Sequence, residues 1–391
     1  MKTKPVVTHI TERYAAQGET YIYEQAGLLK SHRSILLAEN RICNGYAPFK
    51  PFDCFNKMRQ NEILNRVQNF LCREVCESIY LKFLNSFYEK KIRESNASLI
   101  HAHFGTAGYK CLRAKQTLGL PLIITFYGVD ISECVRNPYW IARYQTMFKH
   151  ADLCIVLCDE ALNRLVAIGC PKEKIVVWDI GIPLDEYSWR EPMPTKTPRF
   201  LTVARFTQKK GHRYLIAAFR KISSDYPGAT LTLLGNGPLK NEILRTISDQ
   251  GLSSKITLID TSGTKDFFGA FKEALNSHDI FVHPSVVASK GDDEGGPPVV
   301  ITNAMAVGLP VISTRVGGIG RAVADGVNGL LSEAADTDSL AGKMRFLIEH
   351  PGLWEIFSIN GRKIVEEKFS RDTQIAALEK IYRQVLSCQP V

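Results

Sequence analysis

Short β-type runs alternate with helical periods along almost the whole chain, and this alternation limits the fold more than any other feature. Strands that alternate with helices are typical of parallel sheets joined by crossover helices. The chain has 391 residues, which at roughly 100 to 200 residues per domain predicts two domains, each with its own core. The strands that we predict are 6–10, 34–38, 99–101, 122–126, 153–157 and 174–178, followed by 199–204, 229–234, 255–259, 279–283 and 310–314.

One segment interrupts the alternation. Residues 182–198 contain four prolines and few apolar side chains, so we predict an interdomain linker there. The expected fold class is therefore α/β, with two facing, doubly wound, Rossmann-like domains and a cleft between them. We place the first domain at 1–185, the second at 199–370 and a C-terminal helix at 371–391.

Composition excludes several classes of protein. Hydrophobic residues make up 45% and charged residues 23% of the chain, which is ordinary for a globular protein and excludes wholesale disorder. Apolar runs such as 151–158 are shorter than the ~20 residues of a membrane-spanning helix. The N-terminal residues lack the apolar core of a signal peptide, so we expect a cytoplasmic protein.

The ten cysteines are interpreted as reduced, buried thiols, because the predicted compartment is reducing. A weaker alternative is a zinc site made of Cys72, Cys76, His101 and His103, although no C-x-x-C pair occurs. We expect no metal and no cofactor.

The net charge of +9 predicts an anionic partner. Nucleic acid is not expected, because the chain has no zinc-finger spacing and no basic run with interleaved aromatics. A predicted helix at 56–93 is basic and amphipathic, and two interpretations stay open. It packs one face on the core, or it lies on an anionic membrane and reaches a lipid-linked substrate. Its predicted apolar face consists of Leu64, Val67, Leu71, Val75, Ile79 and Phe83.

In open α/β sheets ligands bind beyond the carboxyl ends of the strands. The predicted strand 199–204 is followed by Arg205 and Lys210, just before a helix that begins near Gly211. An arginine fork, a lysine charge and a helix N-terminus together suit a diphosphate. The alternative for this loop on its own is a solvated basic turn.

Two further loops carry glycines after predicted strands. Gly235-Asn-Gly-Pro238 lets the backbone approach a ligand, but it lacks the third glycine of a dinucleotide fingerprint, which argues against a dehydrogenase. Glu294 precedes two glycines and two prolines, after which an apolar helix begins and ends at Gly308. Glu294 is placed to accept hydrogen bonds from a polyol, and helical periodicity puts Asn303 near another part of the same ligand.

Taken together, these motifs resemble the nucleotide-sugar site of retaining glycosyltransferases of family 4, especially the exopolysaccharide and colanic-acid type. The resemblance covers nearly the whole chain and implies the glycosyltransferase B fold. The acceptor would bind in the first domain and the nucleotide sugar in the second, and the last helix would cross back to the first. The matching stretches are Gly18-Glu-Thr-Tyr-Ile22, His101-Ala-His-Phe-Gly105, Thr125-Phe-Tyr-Gly-Val-Asp130, Arg205 with Lys210, Gly235-Asn-Gly-Pro238, Glu294-Gly-Gly-Pro-Pro, Ala304-Met-Ala, Gly-Leu-Pro310 and Thr314-Arg-Val-Gly-Gly318.

The resemblance implies a role for individual residues. Arg205 and Lys210 would hold the donor diphosphate, and Glu294 would hold the hydroxyls of the transferred sugar. His103 and Asp130 would line the reacting face. The donor-binding residues that it implies are Gly18, Gly128, Gly237, Gly295, Gly296, Pro297 and Asn303.

Three positions depart from the family pattern. Tyr127 stands where the family often has histidine, Asn303 where it has glutamate, and Gly320-Arg321 where it has Pro-Glu. The resemblance implies a metal-independent, retaining transfer of a hexose from a nucleoside diphosphate sugar to a growing, lipid-linked polysaccharide at the inner face of the cell membrane. Two alternatives stay open: a small soluble acceptor, and a catalytically weak homologue that binds nucleotide sugar or scaffolds an assembly.

Overall fold

The computed structural model describes residues 4–14, 19–41, 49–56, 77–264 and 266–387. The chain divides into two compact units, and each is described by itself. The first unit comprises Met1–Trp178 and Thr373–Val391, and the second comprises Asp179–Asp372. The two breaks lie near, but not at, the predicted limits of 185 and 371.

The first unit contains a seven-stranded, fully parallel sheet with the strand order β3-β2-β1-β4-β5-β6-β7. Its strands are β1 (Val6–Tyr14), β2 (Arg33–Arg41), β3 (Phe52–Asn56), β4 (Leu99–His103), β5 (Leu122–Thr125), β6 (Leu153–Val156) and β7 (Ile175–Val177). Its helices before the break are α1 (Thr20–Gly27), α2 (Glu77–Glu94), α3 (Gly105–Lys110), α4 (Leu112–Leu118), α5 (Val129–Ser132), α6 (Pro138–Phe148) and α7 (Asp159–Ala167).

The second unit contains a six-stranded parallel sheet with the order β10-β9-β8-β11-β12-β13. Its strands are β8 (Arg199–Val203), β9 (Thr230–Gly235), β10 (Ile256–Asp260), β11 (Ile280–His283), β12 (Val311–Thr314) and β13 (Leu330–Ser332). Its helices are α8 (His212–Ser223), α9 (Lys240–Asp249), α10 (Phe267–Ser277), α11 (Val299–Val307), α12 (Thr337–Glu349) and α13 (Gly352–Lys368).

The last helix, α14 (Arg371–Ser387), passes from the second unit into the first. Within the first unit, the indole nitrogen of Trp178 donates to the carbonyl of Gln374 at 3.0 Å. The backbone N–H of Ser31 donates to the carboxylate of Glu379 at 2.6 Å. These contacts attach the helix to the end of β7 and to the segment before β2.

The central strands β5, β11 and β12 are buried along their whole length, because helices cover both faces of a parallel sheet. In β8, Phe200 packs into the core on one face while Leu201 and Val203 pack into the core on the other. The sequence-based expectation of two doubly wound α/β domains is confirmed, and every predicted strand occurs. The strands β3 and β13 were not predicted, since β3 mixes two polar residues with three apolar ones and β13 spans only three residues.

The long helix predicted at 56–93 is wrong at its start, and its described part does not bury the predicted apolar face on the core. Asn56 ends strand β3, and residues 57–76, with Leu64, Val67, Leu71 and Val75, lie outside the described residues. In α2, Ile79 and Phe83 of the predicted apolar face are 53% and 62% exposed. The helix instead buries the stripe Leu84, Tyr88 and Ile92. Within the described ranges, no helix is long and apolar enough to cross a membrane.

Candidate active site

The strand order of each sheet changes direction at one point, between β1 and β4 in the first unit and between β8 and β11 in the second. Ligands of open α/β sheets bind beyond the carboxyl ends of the strands at such points. The predicted site residues follow these and neighbouring strands: His103 ends β4, Gly128 and Asp130 follow β5, Arg205 and Lys210 follow β8, Gly237 follows β9, and Glu294 follows β11.

The centre of the second unit's site is the buried carboxylate of Glu294. The Lys210 ammonium lies 2.6 Å from its Oε1 atom, and the Ser285 hydroxyl donates to the same oxygen at 2.6 Å. The Nε2 atom of His283 lies 3.7 Å away. Burial raises the pKa of Glu294, but Lys210 and His283 outweigh it and hold that pKa well below its ordinary value. Glu294 is therefore ionised, and the structure brings together two residues that the sequence assigned separately.

Arg205 is in a different environment from Lys210. Its side chain is exposed, and it forms no ion pair with any residue in the described ranges. Lys209 is instead held in place, because its ammonium contacts Asp292 at 3.0 Å and the carbonyl of Asp293 at 3.1 Å. The loop after β8 thus presents one solvated guanidinium and one buried ammonium.

Close backbone contacts hold Glu294 in position. The N–H of Gly318 donates to the carbonyl of Glu294 at 3.0 Å. A Cβ atom on Gly317 would lie 1.9 Å from that carbonyl oxygen, and the φ of Gly317 is 51°. The hydroxyl of Thr314 donates to the carbonyl of Ser285 at 2.5 Å. Gly317, which belongs to a family motif, has no role predicted from the sequence, and neither have His283 and Ser285, whose signal in the sequence is their place at the end of β11.

Two glycines allow the loops after β8 and β9 to pack together. A Cβ atom on Gly237, whose φ is 150°, would lie 2.6 Å from the Phe206 carbonyl oxygen. A Cβ atom on Gly235 would lie 1.9 Å from the Ala204 carbonyl oxygen. Gly237, predicted to bind the donor, therefore has a contact within the protein that requires glycine.

Helix α11 begins directly after the glycine and proline run. Gly295 and Gly296 are buried and Pro297 is half-buried. Asn303 lies within α11 and is 6% exposed, and its Oδ1 atom has no hydrogen-bond partner among the residues that the structure describes. Buried amide oxygens are rarely left unpaired, so this atom indicates a place for a ligand donor.

In the first unit, the buried side chain of Asp130 binds backbone N–H groups and does not face solvent. Its carboxylate accepts from the N–H of Gly105 at 3.0 Å, of Tyr127 at 3.1 Å and of Gly128 at 2.9 Å. Burial raises the pKa of Asp130 to about 6, although the backbone donors oppose the shift. Asp130 thus fixes the turn that carries Tyr127 and Gly128.

His103 is fully buried and contacts two side chains. Its Nδ1 atom lies 2.7 Å from the Tyr127 hydroxyl, and its Nε2 atom lies 2.9 Å from Nδ1 of His9. Nitrogens of His9, His101 and His103 lie within 4.8 Å of one another, a distance that suits a metal ion. However, both nitrogens of His101 and His103 already have hydrogen-bond partners, and Nδ1 of His9 is bonded to His103. Nitrogens that are engaged in hydrogen bonds with side chains are not aimed at a shared metal ion, so the cluster fits a hydrogen-bonded network better than a metal site.

Three other sequence predictions concern single positions, and the structure describes one of them. Gly18 and the possible zinc ligands Cys72 and Cys76 lie outside the described residues. Arg321, which departs from the family pattern, forms a two-point ion pair with Asp179, with the second contact at 2.8 Å. This pair neutralises the added positive charge.

Solved structures share this architecture over almost the whole chain. HepE from Anabaena, crystallised with UDP, has a TM-score of 0.76 and 17% identity, and the match covers 97% of this chain and 100% of that one. A glycosyltransferase from Rickettsia africae has a TM-score of 0.75 and 17% identity, with 99% and 100% covered. Together with the two parallel sheets, these likenesses define the glycosyltransferase B fold.

Sequence comparison gives the family. The model "Glycosyltransferase Family 4" matches residues 42–186, and "Glycosyl transferases group 1" matches residues 185–364. The putative colanic acid biosynthesis glycosyltransferase WcaL of Salmonella typhimurium is 31% identical over 277 residues, which are 69% of this chain and 67% of the relative. The amylovoran biosynthesis glycosyltransferase AmsK of Erwinia amylovora is 30% identical over 292 residues, with 74% and 70% covered. The chain therefore belongs to the same glycosyltransferase family as WcaL and AmsK.

Proposed function

We propose that this protein is a retaining hexosyltransferase that moves a sugar from a nucleoside diphosphate to a growing, lipid-linked polysaccharide. The observation that carries the proposal is the buried Lys210–Glu294 pair beside a solvated Arg205. A nucleoside diphosphate sugar has two anionic phosphates and several hydroxyls. Cations on one loop and a fixed carboxylate on the next match both parts of such a donor.

The reaction needs positive charge where the diphosphate leaves. Arg205 offers a two-point fork and Lys210 a compact ammonium, and fixed charges of this kind stabilise a departing group. In other transferases a divalent metal ion neutralises the leaving diphosphate. Here Arg205 and Lys210 would do so, and the proposed transfer therefore uses no metal and no cofactor.

The remaining polar groups suit the sugar and the ribose. The carboxylate of Glu294 is ionised and can accept hydrogen bonds from sugar hydroxyls. The unpartnered Oδ1 atom of Asn303 can accept one from a ribose hydroxyl. A neutral acceptor contributes about 0.5 to 1.5 kcal/mol, less than the charged glutamate that the family usually has there.

The acceptor is proposed from the relatives. WcaL and AmsK are named for colanic acid and amylovoran biosynthesis, which are polysaccharide pathways. We place acceptor binding in the first unit.

A peripheral contact with an anionic membrane is part of the proposal. One face of α2 exposes the apolar side chains of Ile79 and Phe83 and continues into Lys90 and Arg93. Apolar anchors beside basic residues suit the surface of an anionic bilayer. Such a contact would bring the enzyme to a lipid-linked acceptor at the cytoplasmic face.

The donor can be identified by thermal unfolding in the presence of a panel of UDP-, GDP- and ADP-sugars. A ligand at about 100 times its Kd adds roughly 2.7 kcal/mol of stability. We expect one nucleotide class to stabilise the protein, and Glu294→Gln to weaken binding of that nucleotide sugar more than binding of the free nucleoside diphosphate. Equal losses for both ligands would remove Glu294 from the sugar site.

Proton NMR of the product tests the stereochemistry. We expect the new linkage to keep the anomeric configuration of the donor. An inverted linkage would contradict the retaining mechanism while leaving the nucleotide site intact.

A further inference from the structure

Polar side chains lie side by side on neighbouring strands of the first unit, and most of them have no part in the proposed function. The strand register pairs His9 of β1 with His101 of β4, and His103 of β4 with Thr125 of β5. Tyr127 follows β5, and Tyr382 comes from α14. Of these side chains only Tyr127 has measurable exposure, at 6%, whereas the other five are at 0%.

The six side chains form two hydrogen-bonded chains, one that ends at Tyr127 and one that ends at Thr125. In the first, Nδ1 of His9 lies 2.9 Å from Nε2 of His103, and Nδ1 of His103 lies 2.7 Å from the Tyr127 hydroxyl. Because His9 ends this chain, its protonation decides the direction of both hydrogen bonds.

The second chain starts on α14. The Tyr382 hydroxyl lies 2.6 Å from Nδ1 of His101, and Nε2 of His101 lies 2.7 Å from the Thr125 hydroxyl. This chain ends at the Thr125 hydroxyl.

The three imidazoles are neutral. Burial lowers the pKa of His9 to about 3 and holds the pKa values of His101 and His103 well below the ordinary range. A neutral imidazole donates through one nitrogen and accepts through the other.

The direction of the first chain follows from the unpaired Nε2 atom of His9, which has no partner in the described part of the chain. A proton on that atom would leave a buried N–H unpaired, which is rare in folded proteins. The proton is therefore on Nδ1 and is donated to His103. The Nδ1–H of His103 then donates to the oxygen of Tyr127.

The direction of the second chain follows from Tyr382. Its hydroxyl is buried, and its hydrogen bond in the structure is to Nδ1 of His101. If His101 donated to it, the hydroxyl proton of Tyr382 would be unpaired. Tyr382 therefore donates to His101, and the Nε2–H of His101 donates to Thr125.

We propose that His9 is a positioning residue that directs a hydrogen-bond chain through His103 onto the oxygen of Tyr127, so that the Tyr127 O–H remains as a donor for a hydroxyl of a bound sugar. The identity of that ligand rests on the proposed function, whereas the direction of the chains does not. The network gives the tyrosine that replaces the family's histidine a fixed donor role.

The direction can be measured without any substrate. In the full-length protein labelled with ¹⁵N-histidine, two-bond proton–nitrogen spectra show which ring nitrogen carries the proton. We expect Nδ1–H for His9 and His103 but Nε2–H for His101. A proton on Nε2 of His103 would overturn the proposal whether or not the protein binds nucleotide sugar.

Variants separate a directing role from simple packing. The asparagine in His9→Asn can still donate to His103, so His103 should stay in its Nδ1–H tautomer. In His9→Leu, we expect His103 to be a mixture of the Nδ1–H and Nε2–H tautomers. Tyr382→Phe should likewise give a mixture of the two tautomers of His101 but leave the tautomer of His103 unchanged. Tyr88→Phe, which alters a buried tyrosine elsewhere in the unit, is the control and should change neither spectrum. An unchanged His103 spectrum in His9→Leu would refute the role of His9.

Steady-state kinetics of sugar transfer test the consequence for activity. The substrate is the nucleotide sugar that stabilises the protein most in the thermal-unfolding panel. We expect His9→Leu to lower kcat about tenfold with little change in KM, and His9→Asn to restore most of it. In a Tyr127→Phe background, His9→Leu should have no further effect, because residues that act through one group are not additive. Additive losses would mean that His9 acts independently of the Tyr127 hydroxyl. If no nucleotide sugar binds, the proposed function fails, and the spectra still decide the direction of the chains.

Discussion

Arg205 and Lys210 carry the same charge, but their surroundings predict different consequences of removing it. Arg205 is solvated, whereas Lys210 neutralises the buried carboxylate of Glu294 at 2.6 Å. We expect Arg205→Ala to lower kcat by ~10²-fold, as for other fixed charges that stabilise a leaving group. Its stability should change by less than about 0.5 kcal/mol.

Lys210→Met should lower kcat similarly and also destabilise the protein. An unpaired buried charge costs about 3 to 5 kcal/mol, which urea unfolding would show. Arg213→Ala, at an exposed position in α8, is the matched control and should affect neither property. Near-native rates in both Arg205→Ala and Lys210→Met would contradict the assignment of the diphosphate site.

The resemblance implies that Asp130 lines the reacting face, but in the structure its carboxylate binds backbone N–H groups. Its two oxygens accept three backbone N–H groups, and an asparagine amide can offer only one accepting oxygen. We expect Asp130→Asn to lower the free energy of unfolding by about 1 to 3 kcal/mol, because a buried donor is left unpaired. Asp152→Asn, at a partly exposed aspartate, is the control and should lose less.

The same variant has a predicted pH dependence. The pKa of Asp130 in the folded state, about 6, is above its ordinary value of 3.8, so the folded protein binds this proton more tightly than the unfolded chain. Its contribution to stability is full below the unfolded pKa and is lost as the pH rises to about 6. Unfolding measured at about pH 5 and about pH 7.5 should show the larger difference between wild type and variant at the lower pH. A larger difference at the higher pH would contradict this assignment.

At the scale of elements, the turn after β12 sets the position of the loop after β11. Gly317 has a φ of 51°, and a Cβ atom there would lie 1.9 Å from the carbonyl oxygen of Glu294. We expect Gly317→Ala to displace Glu294 and to lower both the melting temperature and kcat, with a stability loss of about 1 to 3 kcal/mol. Gly320→Ala lies in the same turn with no atom within 4 Å and should behave like wild type. Equal effects of the two substitutions would show that the turn does not position the carboxylate.

Helix α2 shows why an apolar period does not fix the buried face of a helix. The sequence has apolar residues at Ile79 and Phe83 as well as at Leu84, Tyr88 and Ile92. Two stripes therefore compete, and the neighbouring elements decide between them. The structure buries the second stripe and leaves the first for solvent or another surface.

At the scale of the whole molecule, the net charge of +9 and the exposed face of α2 predict salt-sensitive binding to anionic vesicles. We expect the protein to sediment with phosphatidylglycerol vesicles at low salt and to be released as ionic strength rises, since charges farther apart than the Debye length are screened. Replacing both Ile79 and Phe83 by serine should weaken binding by on the order of tenfold, because their apolar area no longer enters the bilayer.

Leu244→Ser is the matched control, because it removes an exposed apolar side chain from α9 in the second unit. It should bind vesicles like wild type. Equal binding by all three proteins would exclude α2 as the contact surface, whereas a wild-type protein that does not sediment with the vesicles at low salt would favour a small soluble acceptor.

The sequence by itself determined the fold class, the predicted strands and the loops that carry Arg205, Lys210 and Glu294. Buried parallel strands leave continuous apolar runs, and parallel topology places the loops after them at one edge of the sheet, so both can be derived from local patterns. The end of α11 at Gly308 follows from local chemistry in the same way.

Only the tertiary structure decided which groups meet. The pairing of Lys210 with Glu294, the contact of Gly317 with the Glu294 carbonyl and the hydrogen bond between His9 and His103 join residues that are far apart in the chain. Such contacts depend on strand register and loop packing, which no local pattern encodes. The buried face of α2 and the role of Asp130 were decided in the same way, by the atoms that surround them.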